Sequence, residues 1–286
     1  MALLAAGEAQ ILSGGTDFYP ALGDRVVRGP VVDVSGLGEL RGVSTGADHF
    51  RVGGLTTWSE IIRTPLPRCF DALKSAAREV GGVQIQNRGT VAGNLCNASP
   101  AADGVPPLLA LDAEVELVSN VGVRRLPLAD FIVGNRKTQR KADELLAAVL
   151  VPRALENAAS TFVKLGARRY LVISISMVAV VVLVSDRRIV EARVAVGSCS
   201  AMARRLRALE SDLVGASVRV GLGEVVGPEH LAPLSPIDDV RATSEYRMDA
   251  SLRLVQRALN SCAENGRWMG LESRGRRQTR SSSRSV

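Results

Sequence analysis

Residues 82–103 read GVQIQNRGTVAGNLCNASPAAD. This stretch holds no Lys, Glu or His, yet glycines, asparagines and small hydroxyls alternate with apolar residues. Such a composition supplies backbone and amide hydrogen-bonding groups rather than acid–base machinery. Gly89, Gly93 and the small Ala92 let a main chain approach a ligand closely. Thr90, Asn94, Asn97 and Ser99 add neutral polar groups, and Asp103 closes the stretch with one carboxylate. The pattern is expected to form strand and loop around a large, polyhydroxylated, phosphate-bearing ligand.

A second glycine site lies about eighty residues upstream, in AQILSGGTDFYPAL (9–22). The apolar pair Ile11–Leu12 predicts a strand running into Ser13-Gly14-Gly15-Thr16-Asp17. Successive N–H groups in a Gly-Gly turn form a nest for phosphate, although most such sequences are plain turns. Two separated glycine sites suit a dinucleotide better than a mononucleotide. Neither is a GxGxxG in a strand–helix unit and neither is a P-loop, which disfavours an ordinary Rossmann site.

The pair GGTD (14–17) and RGTVAGNLCNASPAAD (88–103) resembles the two flavin-binding signatures of the FAD-binding (medium) subunit of the xanthine dehydrogenase/carbon monoxide dehydrogenase family of molybdenum hydroxylases. The resemblance continues through VGGLTTWSEI (52–61), FDALKSAAREVGG (70–82), LADFIVGNRKT (128–138), FVKLGARRYLVISI (162–175) and RVAVGSCSAMARRLRALESDLVG (193–215). It implies an α+β fold, with a two-subdomain FAD-binding domain of the vanillyl-alcohol-oxidase-like kind. An α+β C-terminal domain with a small antiparallel sheet and helices follows. The expected limits are 1–152 (subdomains about 1–50 and 51–152), 153–265, and a disordered Arg/Ser-rich tail at 266–286.

The resemblance also assigns roles. Gly14, Gly15, Thr16 and Asp17 would cradle the pyrophosphate of FAD, with Thr90, Gly93 and Asn94 beside them. Asn97 and Asp103 would reach the ribityl, ribose or adenine side. Lys164 and Tyr170 would approach the flavin from the C-terminal domain. Each position has a plainer reading: a turn residue for Asp17, a helix N-cap for Asp103, a surface charge for Lys164, and a core ring with its hydroxyl at the rim for Tyr170. Arg168 and Arg169 would steer a pyridine nucleotide or lie on the surface. One departure stands out. The family pattern Thr-Ile-Gly-Gly-Asn reads Thr90-Val91-Ala92-Gly93-Asn94 here, and Ala92 is tolerable only at negative φ with its Cβ turned from the phosphates.

The implied function is electron transfer from [2Fe–2S] clusters on a partner to NAD+ or another acceptor. A molybdopterin-binding large subunit and a [2Fe–2S] small subunit would complete a cytoplasmic complex. The alternatives are a stand-alone flavin oxidase or a non-catalytic FAD-binding assembly subunit. The chain carries no recognisable catalytic set: His49 and His230 are its only histidines, far apart and expected to be exposed.

Composition narrows the rest. Aromatics make up 3% of the chain, which argues against base stacking on single-stranded nucleic acid. Of the net charge of +7, the last 21 residues hold +5, as six arginines against Glu272, so the remainder is nearly neutral. Cys69, Cys96, Cys199 and Cys262 lack metal-ligand spacing and do not suggest a disulfide scaffold. The longest apolar run, LVISISMVAVVVLV (171–184), is shorter than the roughly eighteen residues of a membrane helix. It predicts a buried strand preceded by a turn of helix, in a soluble protein. TTWSEIIR (56–63) and DALKSAAREVG (71–81) predict amphipathic helices, LLAAVLVP (145–152) a strand, RALENAAS (153–160) a linker, and AMARRLRALESDLVG (201–215) and 245–262 helices packed on one face of a sheet.

Overall fold

A computed structural model describes residues 2–5, 9–168, 171–218 and 221–264. The chain starts as a short helix, α1 (Ala2–Ala5), followed by strand β1 (Gln10–Leu12). The glycine loop then leads into α2 (Phe18–Leu22), and the chain returns as β2 (Val31–Asp33), parallel to β1 with Ile11 opposite Val32. Leu4, Val34, Leu55 and Leu145 form the small core beneath this unit.

The next segment builds a five-stranded antiparallel sheet around a group of helices. It begins with β3 (Val43–Thr45) and β4 (His49–Gly53). Five helices follow: α3 (Trp58–Arg63), α4 (Asp71–Glu79), α5 (Val83–Arg88), α6 (Val91–Asn97) and α7 (Val105–Ala110). Then come β5 (Glu114–Ser119), β6 (Gly122–Pro127), α8 (Leu128–Phe131), β7 (Ile132–Gly134), β8 (Lys137–Thr138) and β9 (Leu145–Pro152). The sheet order is β3-β4-β9-β5-β6. β9 is central and buried along seven of its eight residues, which is why its sequence is continuously apolar.

Of the two threonines that could cap α3, Thr56 and Thr57, the structure uses Thr57. Its hydroxyl accepts from Glu60 N and the Glu60 carboxylate accepts from Thr57 N, a reciprocal capping box. In α4, Ala72, Leu73, Ala76 and Ala77 are buried on the face that the sequence periodicity marks. The stretch 82–103 departs from expectation: it forms two short helices, α5 and α6, rather than strand and loop. Gly89 separates them and Thr90 caps the second, its hydroxyl accepting from Gly93 N at 3.0 Å. Val91 and Leu95, four residues apart and both fully buried, are the helical signal that Gly93 and Asn94 between them obscure.

The C-terminal part is a second antiparallel sheet, β10 (Ala159–Leu165), β11 (Ser176–Ser185), β12 (Arg188–Gly197) and β13 (Arg204–Arg205), in that order. Helix α9 (Arg207–Leu213) and the long α10 (Ser244–Glu264) follow. β11 is apolar throughout because both of its faces are covered. Val178, Val180 and Val182 join the core beneath α9 and α10. Met177, Ala179 and Val181 join the core that includes α4 and α7.

Three local expectations need correction. The run 171–175 is not helical, and the strand starts only at Ser176. Only Arg207–Leu213 of 201–215 is helical, because Arg204 and Arg205 pair as a strand with Val196 and Ala195. His230 is buried rather than exposed: its Nδ1 accepts from Gly227 N at 2.9 Å and its Nε2 lies 3.0 Å from Asp212.

Among the described residues, no helix is long and apolar enough to cross a membrane, and no cluster of three metal-ligating side chains occurs. The Arg/Ser-rich tail from 266 onward lies outside the described residues.

Candidate functional site

The two glycine stretches meet. A Cβ on Gly14 would sit 1.9 Å from the carbonyl oxygen of Arg88 and 3.1 Å from Gly89 Cα. The first loop therefore rests directly on the backbone between α5 and α6. Ser13 Oγ and Thr90 Oγ1 lie 3.2 Å apart across this junction. Gly15 has φ +75°, a left-handed conformation that favours glycine, and a Cβ there would strike the Tyr19 ring at 2.7 Å. Gly14, Gly15, Thr16 and Asp17 all line one cavity of about 1110 Å³. Among the described residues, none of their backbone N–H groups has a hydrogen-bond acceptor. Four consecutive unpaired donors on residues that line a cavity are the kind of group an anion seat requires.

The second signature contributes differently. The first-turn N–H groups of α6 are already engaged: Val91 donates to Thr56 O, Ala92 to Gly54 O, Gly93 to Thr90 Oγ1 and Asn94 to Thr90 O. What this helix presents to the cavity is a close-packed wall. A Cβ on Gly93 would lie 2.9 Å from Thr90 Oγ1 and 3.3 Å from Ser13 Oγ. Ala92 occupies helical backbone and its methyl group packs toward Gly54, so the departure from the family pattern is accommodated. Asn94 also lines the cavity, and its buried Oδ1 has no hydrogen-bond partner. Asn97 Oδ1 accepts from Arg136, whose backbone is left-handed at φ +58°.

Asp103 is not a helix cap. Its Oδ1 accepts from Ser174 Oγ at 2.7 Å and its Oδ2 from Lys164 Nζ at 2.8 Å. Burial pushes the Asp103 carboxyl above the usual carboxylate range; Lys164 and Ser174 offset part of that, and the charge of Glu79 adds to it. Lys164 is no surface charge, since its side chain is only 5% exposed. It does not line the cavity but sits behind Asp103, donating also to Glu79 O at 3.2 Å. Tyr170 and Arg169 lie outside the described residues. Arg168 is exposed and donates to Leu171 O.

Sequence reading missed several wall residues. Arg136, Lys137 and Arg140 bring basic side chains from the β7–β8 region, and Leu171, Val172 and Ile173 close the cavity from the C-terminal part. No local pattern announces them, because turns more than thirty residues distant in sequence fold onto the same space.

These groups fit FAD. The unpaired N–H groups at 14–17 suit a diphosphate, while the Asn94 amide and the Asp103 carboxylate suit hydroxyl and N–H groups along the molecule. The cavity volume exceeds that of most drug-sized sites, as a dinucleotide requires.

Residues 1–154 match the model of the FAD binding domain in molybdopterin dehydrogenase, and residues 161–262 that of the CO dehydrogenase flavoprotein C-terminal domain. The xanthine dehydrogenase FAD-binding subunit of Escherichia coli O157:H7 is 30% identical over 259 residues, 88% of each protein. The nicotinate dehydrogenase FAD-subunit of Eubacterium barkeri is 38% identical over 170 residues, covering 58% of this chain and 57% of that one. A chain of carbon monoxide dehydrogenase from Hydrogenophaga pseudoflava superimposes with a TM-score of 0.81 at 25% identity, over 91% of each chain. With both family models matched in order and the glycine loops joined at one cavity, this chain belongs to the FAD-binding subunits of the xanthine and CO dehydrogenase-type molybdenum hydroxylases, an oxidoreductase family whose cofactor here is FAD.

Proposed function

We propose that the cavity holds FAD with its diphosphate on the N–H groups of Gly14, Gly15, Thr16 and Asp17. In this reading Thr90 and Gly93 fix the height of that loop, while Asn94, Asn97 and Asp103 meet the remaining polar groups. Lys164 acts only through Asp103. The observation that carries the reading is the packing of Gly14 on the Arg88 carbonyl, which makes one seat of two separated signatures. FAD, when bound, supplies one- and two-electron redox chemistry. The protein residues place it, exclude water on the α6 side and present a carboxylate.

The chain then serves as the electron-transfer subunit of a larger complex. Relatives include the nicotine 6-hydroxylase medium subunit and the carbon monoxide dehydrogenase medium chain, names that imply other subunits in those enzymes. Here the partners would be a molybdopterin-binding large subunit and a [2Fe–2S] small subunit, in the cytoplasm. Electrons would leave to NAD+ or another acceptor. A division into 1–152 and 153–265 accords with the two larger sheets lying on either side of Arg153–Leu155, a single 3₁₀ turn.

Anaerobic reduction of the complete complex through its iron–sulfur clusters should abolish the flavin's visible absorption, and NAD+ or an alternative acceptor should restore it. A flavin band unchanged while the clusters are reduced would favour the non-catalytic assembly role. Oxidation of a small substrate by the isolated chain would favour the stand-alone oxidase.

A further inference from the structure

Asp103 is held by the C-terminal part of the chain rather than by its own neighbours. Ser174 is 2% exposed and donates to Oδ1; Lys164 donates to Oδ2. Each carboxylate oxygen accepts two hydrogen bonds. One acceptor direction per oxygen is therefore taken from behind, and Asp103 still lines the cavity. Ser174 directly follows Leu171–Ile173, which form part of the same wall. The hydroxyl thus ties the orientation of the carboxylate to the segment closing the cavity.

We infer that Ser174 is a positioning residue for the cofactor: its hydroxyl orients the Asp103 carboxylate and favours its ionised form, so that the carboxylate accepts a hydroxyl or N–H of FAD. This rests on the reading of the cavity as the FAD site. The charged groups facing Asp103 are Lys164 on β10 and Glu79 on α4, while Ser174 is the neutral donor.

The sign follows from which protonation state binds. The ionised carboxylate offers acceptors on both oxygens; the protonated one loses acceptor capacity, so FAD affinity should fall on acidification. Removing a hydrogen bond donated to the ionised form raises the carboxyl's pKa. In Ser174→Ala, the acid-side loss of FAD binding should begin at higher pH, with the midpoint shifted up by about half to one pH unit. At neutral pH the dissociation constant should rise roughly three- to tenfold.

The test is FAD titration of the full chain after flavin removal, followed by quenching of flavin fluorescence across the acid to neutral range. Ser174→Ala should show the upward midpoint shift, and Ser174→Thr, which keeps the hydroxyl, should restore the wild-type midpoint. Parallel weakening of Ser174→Ala at every pH, with the midpoint unmoved, would mark a merely structural serine and overturn the inference. A wild-type chain that fails to bind FAD at any pH would overturn the cofactor reading itself.

Discussion

Gly14→Ala should abolish useful FAD binding while leaving most of the fold in place. The added methyl group would sit 1.9 Å from Arg88 O and 2.6 Å from its carbonyl carbon. Both are main-chain atoms, so no rotamer change relieves the clash. The loop must lift from the start of α6, and the Ser13–Thr90 contact at 3.2 Å opens with it. Overpacking of this kind costs about 1–3 kcal/mol. The N–H groups of 14–17 are displaced at the same time, so the FAD dissociation constant should rise on the order of 100-fold. Gly38→Ala is the control, since a Cβ there meets nothing within 4 Å. Flavin fluorescence titration of both variants checks the claim. A Gly14→Ala chain that binds FAD as wild type does would show that the two loops do not form one seat.

The Lys164–Asp103 pair yields the largest expected stability effect. Both side chains are nearly sealed from solvent, at 5% and 9% exposure. Lys164→Met strips the counter-charge from a buried carboxylate, a loss of about 3–5 kcal/mol at neutral pH. The pH dependence has a definite direction. Burial already raises the folded-state pKa of Asp103 above its unfolded value, and removing Lys164 raises it further. A carboxyl with a raised folded pKa binds protons more readily when folded. Its penalty is thus absent below the unfolded pKa, grows as pH rises from there to the folded pKa, and is complete above it. Urea melts of Lys164→Met should show the full deficit near pH 7 and a smaller one near pH 5. Adding Asp103→Asn removes the stranded charge and should recover part of the loss at neutral pH. An equal deficit at both pH values would mean that lost packing, not the stranded carboxylate, sets the cost.

Much of the architecture was legible because it follows local periodicity. β9 occupies the residues that the run LLAAVLVP marks, and α4 buries the face that its alanines and leucine define. The covered β11 reads as a strand because it has no polar face. Helices α5 and α6 are hard to read from the sequence because glycine and asparagine lower helix propensity, and the Thr90 hydroxyl that caps α6 carries no local mark of that role. The apolar spacing of the sequence that follows them extends the expected helix over Arg204 and Arg205. The structure instead pairs Arg205 with Glu210 and, at 2.6 Å, with Asp112, a partner 93 residues away that no local window contains.

The same limit governs the site. The glycine clusters were visible individually, and their residue types pointed to a phosphate-bearing ligand. The division of labour between them was not visible: the first loop keeps its N–H groups unpaired, whereas the second engages its own with Thr56, Gly54 and Thr90. Lys164 and Ser174 lie 61 and 71 residues from Asp103. Their meeting depends on how the C-terminal sheet docks against α4 and α7, which sequence spacing alone does not specify.

Calorimetric titration of the flavin-depleted chain with FAD and with riboflavin addresses the shared anion seat most directly. One FAD should bind per chain, and riboflavin, which lacks the diphosphate, should bind on the order of 100-fold more weakly, a difference of about 2.7 kcal/mol. Equal affinity for the two ligands, or no heat from either, would contradict the assignment of the joined glycine loops as a diphosphate site.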